Sequence, residues 1–244
     1  MEKFDKEVAK NLIKKLMKIK KKDYEDYAKT GEKFNSFEIM GVERKEIQIC
    51  KMIADLINPN GSHDQGKKYL QKFIEIIAPD DELKEKMKEE FENQSEEKIK
   101  VFTEYGLNSG RRIDIIIKTE NIFIPFEVKI DAKDEKSQCY DYYQFASKRN
   151  QNALEGCCKL YYLTLDGLEP SEESLKKEGS NCLDVKKELK CISFKEHIID
   201  WLNECIKIAE KDKLPSIYYT LKQFKTTIEN ITGNRMLKKT IWIN

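Results

Sequence analysis

Asp114, Glu127 and Lys129 are the residues of this chain whose types and spacing could do hydrolytic chemistry on an anionic substrate. Asp114 lies in Arg-Ile-Asp-Ile-Ile-Ile (112–117), and the other two lie in Ile-Pro-Phe-Glu-Val-Lys-Ile (124–130). Both runs read as strands, in which side chains alternate between faces. Glu127 and Lys129 then share one face while Phe126, Val128 and Ile130 take the other. In the first strand the same rule sets Ile113, Ile115 and Ile117 on one side and Asp114 with Ile116 on the opposite side. A hairpin closed by Glu120-Asn121 places Asp114 across from Glu127, with Cβ atoms roughly 5 Å apart. Two carboxylates so close repel, and a bound cation would offset them. Hard divalent cations such as Mg²⁺ take carboxylate oxygens, keep several waters and commonly add substrate phosphate oxygens. Lys129 would add a positive charge for the developing phosphorane or the attacking water. A solvated strand face is the plainer reading of such a trio. The mostly aliphatic setting weighs against it, because strands this apolar are usually covered on both faces.

Helices must position this hairpin. Gly31 to Gly41 reads as a break, followed by a helix over Val42 to Ile57 that Asn58-Pro59-Asn60-Gly61 stops. Its apolar row contains Ile49, Cys50, Ile53, Leu56 and Ile57, and Glu46 continues that row one turn earlier. A carboxylate in the first helical turn also suits the positive end of the helix, so the same residue has a plain structural reading. Further helices are expected over Asp64 to Ile77 and Asp80 to Asn93, then a strand over Lys98 to Tyr105 ahead of the hairpin. After it comes a helix over Asp134 to Lys148, with Gln138, Tyr142 and Phe145 on one face. Lys159 to Leu165 and Leu189 to Phe194 read as short buried strands, and residues 195–211 and 214–232 as helices. Gly167 to Asn181 reads as a polar loop. No repeat and no Pro-, Gly- or Ser-rich linker divides the chain, so a single α/β domain is expected. It has a mainly helical part over 1–95, an αβ core over 98–194 and C-terminal helices over 195–244.

Composition narrows the classes. The 244 residues suffice for one sizeable core. With 45 basic and 44 acidic residues the net charge is +1, unlike the strongly basic balance of non-specific nucleic-acid binders. Residues 3–22 are the exception: a lysine-rich segment with Phe4, Val8, Leu12, Leu16 and Ile19 at helical spacing. It reads as a solvated helix docked by one stripe, with a phosphate-contacting arm or a membrane-surface helix as alternatives. No apolar run approaches a membrane span and no signal-peptide core is present, so a cytoplasmic protein is expected. Seven cysteines without paired spacing suit a reducing compartment. Cys157 and Cys158 with Cys182 or Cys191 do not match the usual spacing of a metal cluster.

The ordered pieces resemble the PD-(D/E)XK nuclease superfamily. They are Phe34-Asn35-Ser36-Phe37-Glu38-Ile39, the helix from Glu46, Asn58-Pro59-Asn60-Gly61-Ser62-His63, Gly110-Arg111-Arg112-Ile113-Asp114-Ile115, Glu127-Val128-Lys129, Gln138 with Tyr142, Tyr161-Tyr162-Leu163-Thr164 and Trp201-Leu202. They are most similar to the subgroup with a Glu-led N-terminal helix that ends in Asp/Asn-Pro-Asn-Gly-Ser-His. The resemblance covers about residues 34 to 233. Its motif departs at Ile113, where Pro is often written, and at Ile49-Cys50, where His-Ser is often found. It implies a restriction-endonuclease-like core, a mixed sheet of four or five strands flanked by helices, with helical N- and C-terminal elaborations. It also implies that Asp114, Glu127, the Val128 carbonyl and Glu46 hold Mg²⁺, with Mn²⁺ as a substitute. Lys129 becomes the catalytic lysine, and Gln138 orients a water or phosphate.

Arg111, Arg112 and His63 are candidate nucleic-acid contacts, His63 also having a structural reading in its loop. The leading expectation is a metal-dependent nuclease acting on DNA, in a defence or restriction system and with a possible partner protein. An RNA-directed nuclease and a non-catalytic nucleic-acid or protein-binding module are the alternatives. Asp114, Glu127 and Lys129 argue against the last.

Overall fold

Which layer each strand residue faces decides where the polar trio ends up. The computed structural model describes residues 31, 33–78, 80–150 and 159–233, together with Asn11, Lys14, Lys15 and Met17. The lysine-rich helix expected over 3–22 and the Cys157-Cys158 pair lie essentially outside the described residues. The described cysteines 50, 139, 182, 191 and 205 are free thiols.

The elements run α1 (Ser36–Ile39), α2 (Glu46–Ile57), α3 (Lys68–Ile77), α4 (Asp81–Asn93), β1 (Lys100–Gly106), β2 (Arg112–Lys118), β3 (Phe123–Lys129) and α5 (Gln138–Arg149). They continue with β4 (Leu160–Thr164), α6 (Glu172–Leu175), α7 (Val185–Glu188), β5 (Leu189–Ser193), α8 (Ile199–Lys211) and α9 (Pro215–Ile231). A π-helical turn, Phe194–Ile198, joins β5 to α8. The strands form one sheet in chain order. β1, β2 and β3 pair antiparallel; β4 and β5 add on parallel to β3. This is the mixed, helix-flanked sheet of a restriction-endonuclease-like core.

Two apolar layers cover the sheet. Ile115, Ile117, Ile124, Phe126, Val128, Tyr161, Leu163 and Ile192 pack with buried residues of α2, α3, α4, α8 and α9. Ile116, Phe123, Leu160, Tyr162 and Leu189 pack with Cys139, Tyr142 and Ala146 of α5. Local signals start two of these helices. The Asp80 side chain caps α4 by accepting from Leu83 N at 2.8 Å. Pro215 opens α9, where its missing N–H matters least. Trp201 on α8 donates from its indole to the Tyr69 carbonyl at 2.9 Å, tying the helical layer together.

The hairpin register is the expected one, with Ile115 opposite Phe126 and Ile117 opposite Ile124. Its turn is fastened from outside. Thr119 Oγ1 accepts from the amides of Asn121 and Ile122, both at 3.1 Å, and donates to Glu90 at 2.6 Å. Asn150, at the end of α5, grips Phe123 at both backbone N and O, each at 2.8 Å.

The alternation expected along β2 breaks at one rung. Ile113 joins Ile116 in the α5 layer rather than Ile115 and Ile117. In β1, Phe102 and Tyr105 meet ring to ring at 5.7 Å although their numbers differ by three, an odd spacing that regular alternation puts on opposite faces. Between these anomalies sits Glu104, with φ of 50°, flanked by the Thr103–Ile115 and Tyr105–Ile113 pairs. A left-handed residue inside a strand turns the following side chains over, and the partner strand follows through the ladder. Asp114 occupies that reversal.

Smaller departures concern loops. The expected break over Gly31 to Gly41 holds α1, capped by Asn35 and tied to α9 through Asn35 Nδ2 and Thr227 at 3.1 Å. The expected polar loop over Gly167 to Asn181 holds α6, whose buried Ser174 hydroxyl accepts from Cys139 N at 3.1 Å. The helices expected from Val42, Asp64 and Asp134 begin at Glu46, Lys68 and Gln138. In these cases turns and tertiary contacts override the apolar period that suggested the earlier start.

Candidate active site

β2 and β3 stop pairing beyond Ile115–Phe126, and the splayed ends carry the polar trio. Side chains take over the backbone partners that the ladder gives up. Val128 N donates to Asp114 Oδ2 at 2.7 Å, and the Tyr142 hydroxyl donates to the Arg112 carbonyl at 2.5 Å. The sequence therefore builds the centre where an irregular strand leaves the sheet. It opens toward the C-terminal ends of β3 and β4, where open α/β sheets commonly bind ligands.

Glu127 is 1% exposed. Lys129 Nζ reaches its Oε1 at 2.6 Å, while Oε2 is buried and accepts no hydrogen bond. Burial, and then the negative charge of Asp114, push the Glu127 carboxyl well above its ordinary range, against the opposing pull of Lys129. Burial also raises Asp114, although its bond from the Val128 amide pulls the other way. For Lys129, burial alone would lower the pKa, but the adjacent Glu127 carboxylate, with Asp114 behind it, carries the net shift upward. The lysine is thus an ammonium ion. Of the two roles the sequence allows it, electrostatic support fits this state and proton abstraction does not.

Two neighbouring carboxyls, both raised and close enough to share a proton, with Glu127 Oε2 buried and given no other donor, describe a site short of one positive charge. The donors that the two carboxylates offer are hard oxygens, which suits a small divalent cation. Among the described residues no group of three His, Cys, Asp or Glu side chains could hold a metal ion. A cation here would use the two carboxylates, with a main-chain carbonyl, water or substrate completing its shell, as Mg²⁺ commonly does.

Glu46 is brought to the same end of β3 but in a different posture. Its Oε1 accepts from the amides of Ile130, Asp131 and Ala132 at 3.1, 3.2 and 3.1 Å, which holds the chain leaving Lys129. Arg44 clamps that segment through Asp131, with Nε to Oδ2 at 2.7 Å. Gln138 is buried at the start of α5. Its Oε1 accepts from Glu135 N at 3.2 Å and its Nε2 donates to Tyr142 Oη at 3.3 Å. Cys50 lies under the centre, its thiol pushed up by burial and then by the charge of Asp114. Ile49 and Cys50 are core residues of α2.

The three candidate nucleic-acid contacts separate. His63 uses both ring nitrogens in its own loop, with Nε2 at 3.0 Å from the Asn58 carbonyl and Nδ1 accepting from Gln65 N at 2.9 Å. It is buried against Tyr69 and staples the turn after α2. Arg111 is held by the Lys136 carbonyl at 2.5 Å and by Asp141 at 3.5 Å. Arg112 is different: its side chain is 63% exposed, with one ion pair to Glu104 at 3.3 Å.

Sequence reasoning missed several residues of this region. Glu104 looks like any polar strand residue until its backbone angle is known. Asp134 takes the Tyr162 hydroxyl and Ser171 N, both at 2.6 Å, and so fixes the loop beyond the centre. Thr164 carries a buried hydroxyl without a partner. Tyr-Tyr-Leu-Thr is visible in the sequence, but the alignment of Thr164 with Lys129 depends on the register of β4.

The fold, with a buried carboxylate and a half-buried one beside a lysine, defines a nuclease-like α/β protein. The family model of the PD-(D/E)XK nuclease superfamily matches residues 34–226, and the chain belongs to that superfamily. No curated protein and no solved structure matches the chain. Membership points to metal-dependent nuclease chemistry, generally supported in this superfamily by divalent cations. No helix among the described residues is long and apolar enough to cross a membrane.

Proposed function

We propose that the chain is a Mg²⁺-dependent nuclease that hydrolyses phosphodiester bonds in DNA, working as a single nuclease domain in the cytoplasm as part of a defence system. The observation that carries this reading is the unpaired buried Oε2 of Glu127 beside Asp114. Asp114, Glu127 and the Val128 carbonyl would hold the cation, and Glu46, whose Oε1 is engaged by three backbone amides, would add a further carboxylate or act through a water. When bound, the cation supplies charge neutralisation for the non-bridging phosphate oxygens and lowers the pKa of a coordinated water.

The chain's own residues supply the remainder. Lys129, as an ammonium, stabilises negative charge growing on the phosphate and orients the attacking water by donating to it. Glu46, through its three amide contacts, fixes the end of β3 so that Lys129 keeps its direction. Gln138 has one amide N–H beyond its bond to Tyr142, available for a water or phosphate oxygen. Arg112 is the best placed of the basic candidates to grip backbone phosphate. The Glu-led helix ending at Asn58-Pro59-Asn60-Gly61-Ser62-His63 supports placing the chain in the corresponding subgroup.

The test is cleavage of circular DNA, linear DNA and RNA with Mg²⁺, Mn²⁺ or chelator by the wild-type chain, Glu127→Ala and Lys129→Ala. Metal-dependent DNA cleavage that both variants lose is the expected result. Equal activity in all three proteins would overturn it, and cleavage confined to RNA would redirect the substrate while leaving the centre in place.

A further inference from the structure

Thr164 ends β4 with a hydroxyl that is buried and makes no hydrogen bond. The residue nevertheless lines the groove of about 630 Å³ that also holds Lys129, Asp134 and Tyr162. β3 and β4 run parallel with Lys129 beside Thr164 and Glu127 beside Tyr162. Paired residues of neighbouring strands project from the same face, so the unused hydroxyl stands next to the lysine. Buried hydroxyls normally find a partner, and the absence of one here calls for a reason.

Lys129 supplies it. In this form its ammonium rests on Glu127 Oε1 at 2.6 Å. Once Glu127 and Asp114 share a divalent cation, ammonium and metal compete for the same carboxylate and repel one another. The ammonium has three donors and needs an acceptor farther from the metal. We infer that Thr164 is a positioning residue: its Oγ1 accepts an N–H from Lys129 in the cation-loaded centre and holds the ammonium toward the groove. This rests on the nuclease reading above. A hydroxyl buried only by accident of β propensity would have no such consequence.

The experiment compares wild type, Thr164→Val and Thr164→Ser, with Lys129→Arg used to assign the lysine ammonium resonance by its disappearance. Valine keeps the branched shape and removes the unpaired oxygen, so the melting temperature in chelator should equal or exceed that of wild type. With Mg²⁺, the Lys129 ammonium signal should persist in wild type and Thr164→Ser and be lost to exchange in Thr164→Val. On whichever nucleic acid the wild type cleaves, kcat of Thr164→Val should fall between about 10- and 100-fold with KM nearly unchanged, and serine should restore it. The inference is overturned if Thr164→Val cleaves at the wild-type rate, or if its Mg²⁺-loaded ammonium signal matches wild type. A wild-type chain that cleaves no nucleic acid would sink the nuclease reading instead, and the ammonium signal would still decide the role of Thr164.

Discussion

At the scale of single residues, Asp114 and Glu127 set the response of the protein to pH. Burial raises both carboxyls above their ordinary values of 3.8 and 4.5, so the folded state holds protons that the unfolded chain has released. Stability from this pair is therefore present at low pH and is lost as pH rises through the raised folded values. A divalent cation competes with those protons and removes the same penalty. We expect Mg²⁺ to raise the melting temperature more at pH 8 than at pH 5, and Glu127→Ala to abolish the difference. Scanning calorimetry with Mg²⁺ against chelator checks this; an equal shift at both pH values would refute the proton–metal competition. Glu46 poses a separate question because its Oε1 serves three amides at once. Glu46→Gln keeps an acceptor oxygen there, whereas Glu46→Ala leaves three N–H groups to find water. Alanine should lower stability by about 1–2 kcal/mol relative to glutamine in chemical denaturation.

At the scale of elements, the centre depends on an irregular rung and a fastened turn. The hairpin was legible because period-two alternation and the Glu120-Asn121 turn fix which residues face each other, and Ile115 does stand opposite Phe126. The face of Ile113 was not legible. It is set by the left-handed backbone of Glu104 on the neighbouring strand, and glutamate carries no composition signal for a positive φ. If that conformation is imposed by the sheet, Glu104→Gly adopts it without strain and Glu104→Val does not. Valine should then be less stable than glycine by roughly 1–2 kcal/mol, the reverse of ordinary strand preference, as measured by urea denaturation. The fastening of the hairpin is testable at Asn150, which satisfies both backbone groups of the buried Phe123. Asn150→Ala leaves an N–H and a C=O without partners and should lower stability by about 2–4 kcal/mol. The Mg²⁺-induced shift of whatever remains folded should survive, because Asn150 lies at the turn end of the hairpin and the carboxylates at the other.

At the scale of the whole molecule, the order of strands and helices followed from apolar periods and turn signals. What joins distant segments did not. The register that sets Thr164 beside Lys129 and the grip of Glu46 on the residues after β3 are tertiary facts. No local pattern encodes them. Charge is also balanced globally and locally. The chain carries 45 basic and 44 acidic residues, and beside the centre Arg44, Arg111 and Arg112 already face Asp131, Asp141 and Glu104. The groove next to Lys129 contains Lys133 but also Asp134, Asp166, Glu169 and Glu173. Among the described residues beside the centre few cations are left to neutralise phosphates, so substrate binding there should release few counterions. For duplex DNA bound to Glu127→Ala, which keeps the groove and lacks the proposed chemistry, log Kd against log salt should have a slope no steeper than about 4, corresponding to roughly four phosphate contacts. Fluorescence anisotropy over a range of salt concentrations measures it. A much steeper slope would show that lysines away from the groove, such as those of residues 3–22, engage the phosphate backbone. Binding energy would then come chiefly from an arm and the groove would select the bond to be cut.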